Sequence, residues 1–81
     1  MRRRNGNRVS PEIGEQLRER REQLGLSQRD VADRTDGQLS YAAMSRIETG
    51  ARYPTLHTLE YLCQALHCVI VIDETGTTVS W

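Results

Sequence analysis

One predicted helix combines small outward-facing residues with a single arginine. Between Tyr41 and Thr49, hydrophobic spacing places Met44 and Ile47 on an inward face flanked by Ala43. The opposite face carries Tyr41, Ala42, Ser45, Arg46 and Thr49. Small residues allow a backbone to approach a partner closely, and an arginine can donate two hydrogen bonds to one guanine. The pattern therefore predicts a face suited to contact with DNA base edges.

A second group of candidate residues lies at the start of the chain. Four arginines fall within residues 1–9: Arg2, Arg3, Arg4 and Arg8. They give the first eleven residues a charge of +4, and the remaining 7 arginines against 11 acids leave −4 on residues 12–81. We expect residues 1–9 to form a flexible basic arm. Such an arm can enter a minor groove or lie along phosphates, or it can serve only as solubilising charge.

Length and composition restrict the class of protein. The chain has 81 residues, of which 37% are hydrophobic and 27% are charged, and this is typical of one small soluble domain. There is no stretch of 18 consecutive apolar residues, so we expect no membrane span. The basic start is not followed by the apolar stretch of a secretory signal. These features predict a cytoplasmic protein.

Local sequence signals divide residues 10–67 into four helices. Ser10–Glu12 is a strong helix start, because serine caps a free amide, proline fits the first helical position and glutamate suits the positive helix end. Gly25 ends this first helix. Leu26–Ser27 before Asp30–Val31 predicts a capping box with a hydrophobic staple. Leu39–Ser40 before Met44 predicts a similar start that lacks the acid. The two short helices that result run from about Gln28 to Thr35 and from about Tyr41 to Thr49.

A fourth helix opens at Pro54–Thr55, and the chain changes to extended structure at Cys68. The apolar positions of this helix keep the helical period: Leu56, Leu59, Leu62, Cys63 and Leu66. Residues 69–72 form a β-branched run that predicts a strand, and 77–81 offer a second short strand after a turn at 74–76. Two short capped helices between two others are the parts of a helix-turn-helix domain. The fold class is therefore mainly α, with four helices and a C-terminal strand or hairpin over residues 68–81.

A joint motif pattern extends over about residues 12–67. Its parts are Leu17-x-x-x-Arg21-x-x-Leu24-Gly25-Leu26-Ser27-Gln28, Val31-Ala32, Met44-Ser45-Arg46-Ile47-Glu48-Thr49-Gly50 and Arg52-x-Pro54-Thr55-Leu56-x-x-Leu59. In this pattern the chain resembles the phage repressor and Cro-like helix-turn-helix proteins, the XRE family. The resemblance implies a lambda-repressor-like fold and a sequence-specific repressor that binds double-stranded DNA as a homodimer.

The resemblance also implies roles for individual residues. The positions that match the base-contacting residues of the recognition helix are Tyr41, Ala42, Ser45 and Arg46. The positions that match phosphate contacts are Gln28, Ser40 and Arg52. Arg21 and Glu48 match an ion pair that links the first and third helices, so the resemblance implies that they serve stability and do not contact bases.

The chain departs from the family pattern in two places. Between Ala32 and Ser40 it is about two residues longer, which leaves the angle between the second and third helices open. Residues 68–81 replace the usual fifth helix, and such a strand-ended variant is similar to HipB-type antitoxin repressors, which pair their terminal strands across a dimer. We therefore expect Val69, Val71 and Trp81 to form the dimer contact.

Two functions from different classes remain open. The first is a DNA-binding repressor that acts as a homodimer on an inverted repeat. The second is an antitoxin or protein-interaction module that binds a toxin and regulates its own operon. The −4 charge of residues 12–81 favours the second, because nonspecific DNA affinity comes from basic charge. The outward face with Arg46 favours the first, although an exposed arginine can be merely solvated and Tyr41 can simply cover the edge of its helix.

No catalytic site, metal site or cofactor is predicted. The chain has no nucleophile elbow, glycine-rich phosphate loop or HExxH motif, and its serines with a clear local role are helix caps. His57, His67, Cys63 and Cys68 lack the CxxC spacing of a zinc site. We expect both cysteines to be reduced and structural.

Overall fold

The structure, a computed structural model, describes residues 9–81 as four helices followed by two strands. The elements in chain order are α1 Ile13–Gln23, α2 Gln28–Arg34, α3 Tyr41–Thr49, α4 Leu56–Leu66, β1 Val69–Asp73 and β2 Gly76–Ser80. The strands form an antiparallel hairpin. This confirms the predicted fold class, a mainly helical helix-turn-helix domain with a short C-terminal hairpin.

Side-chain caps start three of the helices, and those at Ser27 and Ser40 were predicted. Ser27 accepts a hydrogen bond from the backbone N–H of Asp30, and the Asp30 carboxylate accepts one from the N–H of Ser27, which completes the capping box. The hydrogen bond from the Ser27 N–H lowers the pKa of the Asp30 carboxyl group. Its contribution to stability is therefore present above the unfolded pKa and is lost as pH falls through the folded pKa. Ser40 caps α3 and Thr55 caps α4, each through one backbone N–H.

The start of α1 differs from the prediction. Pro11 and Glu12 form a turn, and the helix begins at Ile13. The Ser10 hydroxyl accepts from the N–H of Glu12 at 3.2 Å, so it closes this turn and does not cap the helix. The backbone N–H of Ser10 donates to the carbonyl oxygen of Thr77 at 2.8 Å. Because Ser10 is held against β2, the chain has to turn at Pro11 and Glu12 before α1 can begin.

Thr35 organises the connection between α2 and α3. Its buried hydroxyl donates to the carbonyl oxygen of Ala32 at 2.7 Å and accepts from the N–H of Leu39 at 3.1 Å. Asp36 and Gly37 have φ angles of 55° and 81°, a conformation that Asp and Gly tolerate better than other residues. The longer connection noted in the sequence is therefore folded into a tight turn that buries Leu39.

The core draws on all four helices and on β2. Its fully enclosed apolar side chains, each at most 1% exposed, are Ile13, Leu17, Val31, Met44, Ile47, Leu59, Leu62 and Leu66. Leu56, predicted to face inward, is 37% exposed. A helical side chain covers the turn before its own position, and Leu56 is the first residue of α4, so it has no such turn to cover.

Helices α1 and α3 lie in close contact at Gly14. A Cβ atom at this position would overlap the carbonyl oxygen of Ile47 and lie 3.1 Å from that of Glu48. The missing side chain lets the backbone of α3 lie directly against α1. The C-terminal end of α3, with Glu48, is thereby brought within reach of side chains on α1.

The hairpin has an inner strand, β2, and an outer strand, β1. Thr77 and Val79 on β2 are buried. The edge of β2 that does not pair with β1 is partly occupied, because Val9 forms a parallel bridge with Thr77 and the N–H of Val79 donates to the side chain of Gln16. Val9, predicted as the last residue of the arm, is instead part of the folded domain.

Candidate nucleic-acid interface

The exposed face of α3 carries the four residues predicted to contact bases. Tyr41 is 48% exposed, Ala42 and Arg46 are exposed and Ser45 is partly buried. The inward residues of the same helix are buried: Ala43, Met44 and Ile47. The structure therefore brings the predicted base-contacting residues onto one surface of a helix whose other side is fixed in the core.

An ion pair fixes the orientation of this helix relative to α1. The Arg21 guanidinium meets the Glu48 carboxylate in a two-bond arrangement, Nε to Oε2 at 2.6 Å and Nη2 to Oε1 at 2.9 Å. The side chains are only 12% and 3% exposed, respectively. The hydrogen bonds to Glu48 raise the pKa of Arg21 above its ordinary value, against the opposing effect of burial. The two residues that the resemblance paired are thus in direct contact.

The same ion pair also holds the start of α2. Arg21 Nη1 donates to the carbonyl oxygen of Leu26 at 2.8 Å, just before the Ser27 cap. Gln28 Nε2 donates to Glu48 Oε1 at 3.0 Å. A glutamine amide carries two hydrogens, so Gln28 retains one for a further acceptor such as a phosphate oxygen. We name Arg21, Glu48 and Gln28 the anchor cluster, since it fixes α1, the start of α2 and the end of α3 together.

Two further residues predicted to contact phosphate lie at either end of α3. Ser40 is exposed, and its hydroxyl oxygen accepts from the N–H of Ala43 at 3.1 Å. Arg52 is exposed and follows Gly50, which ends the helix with a φ angle of 84°. The backbone N–H of Arg52 donates to the carbonyl oxygen of Arg46 at 3.2 Å. This bond holds the Arg52 backbone next to the last turn of the helix.

Arg29 is a candidate that sequence analysis missed. Its guanidinium carbon lies 5.1 Å from the centre of the Tyr41 ring, within the range of a cation–π contact. The contact joins α2 to the first residue of α3 and places an exposed cation beside a predicted base-contacting residue. The only signal in the sequence is an arginine in the first turn of a polar helix, and the contact depends on the geometry of the α2–α3 turn.

The predicted dimer residues lie on and beside the hairpin. Val69 and Val71 alternate along β1 and so share one face; Val69 is 61% exposed and Val71 is partly buried. Trp81 follows β2 and is 46% exposed, and the Arg20 guanidinium lies 5.7 Å from the centre of its ring. Trp81 thus already has a partner within its own chain.

Other predicted features lie elsewhere or form no cluster. Arg2, Arg3, Arg4 and Arg8 fall outside the described residues. Within residues 9–81, no three histidine, cysteine or acidic side chains are grouped as metal ligands. In the same part of the chain, none of the helices combines the length and the apolar character needed to cross a membrane.

The fold and the exposed face of α3 define the class as a helix-turn-helix domain, in which a recognition helix follows a shorter helix across a turn. Among known protein families, a helix-turn-helix domain matches residues 12–69, which is more than half of the chain. The chain therefore belongs to this helix-turn-helix domain family. A comparison with curated proteins finds no match.

Proposed function

We propose that the chain is a sequence-specific DNA-binding transcriptional repressor that acts in the cytoplasm as a homodimer on an inverted repeat. The exposed face of α3 carries this proposal, because it combines an arginine, small residues and an aromatic residue on a helix held rigidly by the anchor cluster. In helix-turn-helix domains such a helix lies in the major groove, with its first residues nearest the bases.

Each of the residues predicted to contact DNA has a role that its chemistry supports. Arg46 donates to the O6 and N7 atoms of a guanine, and the Ala42 methyl group packs on a thymine methyl. Tyr41 and Ser45 contact neighbouring base or backbone atoms. Gln28, Ser40 and Arg52 donate to phosphate oxygens on either side of the groove. Arg2, Arg3, Arg4 and Arg8 add nonspecific affinity as a basic arm.

Arg46→Ala is expected to lower affinity for the cognate site by about 1–3 kcal/mol and to relax preference at one base pair. Gln28→Ala is expected to weaken binding to all sequences more evenly, because it loses a phosphate contact. Fluorescence anisotropy measures the affinity of both variant proteins for the DNA upstream of the gene and for single-base variants of that DNA. Arg34→Ala is the matched control, because it removes the same charge from outside the exposed face of α3. The Arg34 side chain donates to the Ala65 carbonyl of α4. Unchanged affinity and preference in Arg46→Ala would show that α3 does not contact the bases.

The homodimer part of the proposal rests on the edge of β1. Within residues 9–81 the sheet contains only β1 and β2, so no strand of the same chain pairs with the far edge of β1. Asp73 pairs with Gly76 across a two-residue turn. Because the closing pair of such a hairpin exchanges hydrogen bonds and the pattern alternates, Ile70 and Ile72 direct their N–H groups to the open edge. Pairing of two copies about a two-fold axis satisfies these groups.

Ile72→Pro is therefore expected to convert the dimer to a monomer, because it removes one outward N–H and leaves the bonds between β1 and β2 in place. Sedimentation equilibrium measures the oligomeric state, and thermal unfolding shows that the domain still folds. Ile72→Ala is the control, since it removes the exposed side chain and keeps the N–H. A folded Ile72→Pro protein that remains dimeric would contradict pairing through β1. A monomer is also expected to lose cooperative binding to half-sites centred about 34 Å apart.

A second candidate function is a module that binds a toxin and regulates its own operon. The −4 charge of residues 12–81 supports it, since this part of the chain has little general attraction for DNA. Co-purification with the product of the neighbouring gene, compared with a gel shift on the upstream DNA, separates the two. A tight protein complex with no DNA shift favours the second function, and a DNA shift by the free chain favours the first.

A further inference from the structure

Two free thiols meet at the junction between the helices and the hairpin. Cys63 lies in the last turn of α4, and Cys68 immediately precedes β1. Their sulfur atoms are 3.3 Å apart, and both residues are buried, with 7% and 9% exposed, respectively. The proposed contact with DNA uses neither residue.

The backbone keeps these sulfurs close. His67 ends α4 in the left-handed conformation, with a φ angle of 54°, and turns the chain back on itself. The N–H of Cys68 then donates to the carbonyl oxygen of Cys63 at 3.1 Å. A disulfide has a sulfur–sulfur distance of about 2.0 Å. The sulfurs therefore need to approach by little more than about 1 Å, a step within reach of side-chain rotation and small backbone shifts.

The two thiols are chemically unequal, and Arg20 contributes to the difference. Arg20 donates from Nε to the carbonyl oxygen of Leu66 at 2.9 Å and from Nη2 to that of His67 at 3.1 Å, which holds its guanidinium at the two residues just before Cys68. The hydrogen bond between the two thiols, and to a smaller extent the charge of Arg20, lower the pKa of Cys68. The hydrogen bond with Cys68 and burial raise the pKa of Cys63. Cys68 is thus the thiol that ionises first, and the thiolate is the reactive form.

We propose that Cys63 and Cys68 are a reversible dithiol–disulfide pair that a hydroperoxide oxidises. The Cys68 thiolate attacks a peroxide oxygen, which forms a sulfenic acid and releases hydroxide or alkoxide. The Cys63 sulfur then attacks the Cys68 sulfur, the S–S bond forms and water leaves. In sum, two thiols and one hydrogen peroxide give one disulfide and two waters. A small thiol reverses the reaction by exchange.

The disulfide ties α4 to the start of β1. Because Cys68 directly precedes β1, movement of its sulfur toward Cys63 shifts the strand on the helix. Arg20 links this junction to Trp81, whose ring lies 5.7 Å from its guanidinium. Trp81 is the only tryptophan of the chain, so its fluorescence reports the shift. The oxidation chemistry stands independently of any role in DNA binding.

The test treats the full chain, in native buffer, with hydrogen peroxide. The expected product is a chain that is not cross-linked to a second copy and is lighter by two hydrogen atoms, with no alkylatable thiol and with Cys63 and Cys68 in one disulfide by peptide mapping. Trp81 fluorescence is expected to change in step, and dithiothreitol is expected to restore both signals. Failure of the thiols to disappear, or disulfides only between chains, would overturn the proposal.

Single variants separate the role of Cys68, which reacts with the peroxide, from that of Cys63, which then forms the disulfide. Cys63→Ser is expected to leave a sulfenic acid on Cys68 that dimedone traps, whereas Cys68→Ser is expected to react at least about tenfold more slowly. With both cysteines in place, Arg20→Gln is expected to slow the oxidation. Arg20→Lys is expected to retain most of the wild-type oxidation rate. The wild-type chain in denaturant supplies a test that needs no folded variant. Equal oxidation rates in native buffer and denaturant would show that the fold does not prepare the pair, and this also refutes the proposal.

Discussion

Glu48→Ala is expected to lower the free energy of unfolding by about 3–5 kcal/mol, the cost of removing one partner from a buried ion pair. Arg21 stays charged because its pKa lies far above any working pH, and its side chain is only 12% exposed. The substitution leaves that charge without the carboxylate that satisfies two of its N–H groups. Urea unfolding monitored by circular dichroism measures the change.

Glu22→Ala is the matched control for this loss. Glu22 also lies near Arg21, with 4.0 Å between its Oε2 atom and Nη2, but its side chain is 55% exposed. Solvent screens such a pair, so we expect a change of less than about 1 kcal/mol. If the two alanine variants are equally stable, the Arg21–Glu48 contact does not hold the fold together.

A double variant separates the cost of a stranded charge from the value of the ion pair. Replacing Arg21 with Met and Glu48 with Leu is expected to recover much of the stability lost in Glu48→Ala, because no buried charge remains. It does not recover the hydrogen bond from Gln28. We therefore expect this variant to fold and to bind DNA more weakly than the wild-type chain. Urea unfolding tests the first expectation, and fluorescence anisotropy with DNA tests the second.

Gly14→Ala is expected to destabilise the domain by about 1–3 kcal/mol or more, although the same change in an exposed helix stabilises it by about 1 kcal/mol. The new methyl group would overlap the carbonyl oxygen of Ile47 and crowd that of Glu48. Both obstacles are backbone atoms, so a side-chain rotation cannot remove the clash. The helices α1 and α3 have to move apart, and thermal unfolding measures the cost.

Glu15→Ala is the control for Gly14→Ala, because it changes the exposed neighbour on the same helix and is expected to have an effect within about 0.5 kcal/mol. Separation of α1 and α3 also stretches the Arg21–Glu48 contact. Gly14→Ala and Glu48→Ala together are therefore expected to cost less than the sum of the single changes. A rise in melting temperature for Gly14→Ala would show that α1 and α3 do not cross at this residue.

Features fixed by neighbours in the chain were predictable from the sequence. The Ser27 capping box, the Ser40 and Thr55 caps and the Gly50 helix end involve residues within four positions of one another, and their residue types determine the local geometry. The outward face of α3 was predictable for the same reason, since helical periodicity alone assigns it.

Features fixed by contacts between distant elements were not predictable. Gly14 appears in the sequence as a mild defect in a helix, and its role depends on where α3 crosses. The Arg29–Tyr41 contact depends on the path of the α2–α3 turn, which a buried hydroxyl of Thr35 closes. Residue Val9 has no partner among its neighbours in sequence, and its pairing with Thr77 arises only when the hairpin packs on α1.

The bridge between Val9 and Thr77 bears on the order in which the chain folds. It joins residues from opposite ends of the described chain, so its formation closes a loop that contains all four helices. The entropic cost of closing such a loop is offset only after the helices have packed together. We therefore expect the hairpin to dock after the helices have formed the folding nucleus. Substitutions at this bridge should therefore accelerate unfolding and leave the refolding rate almost unchanged.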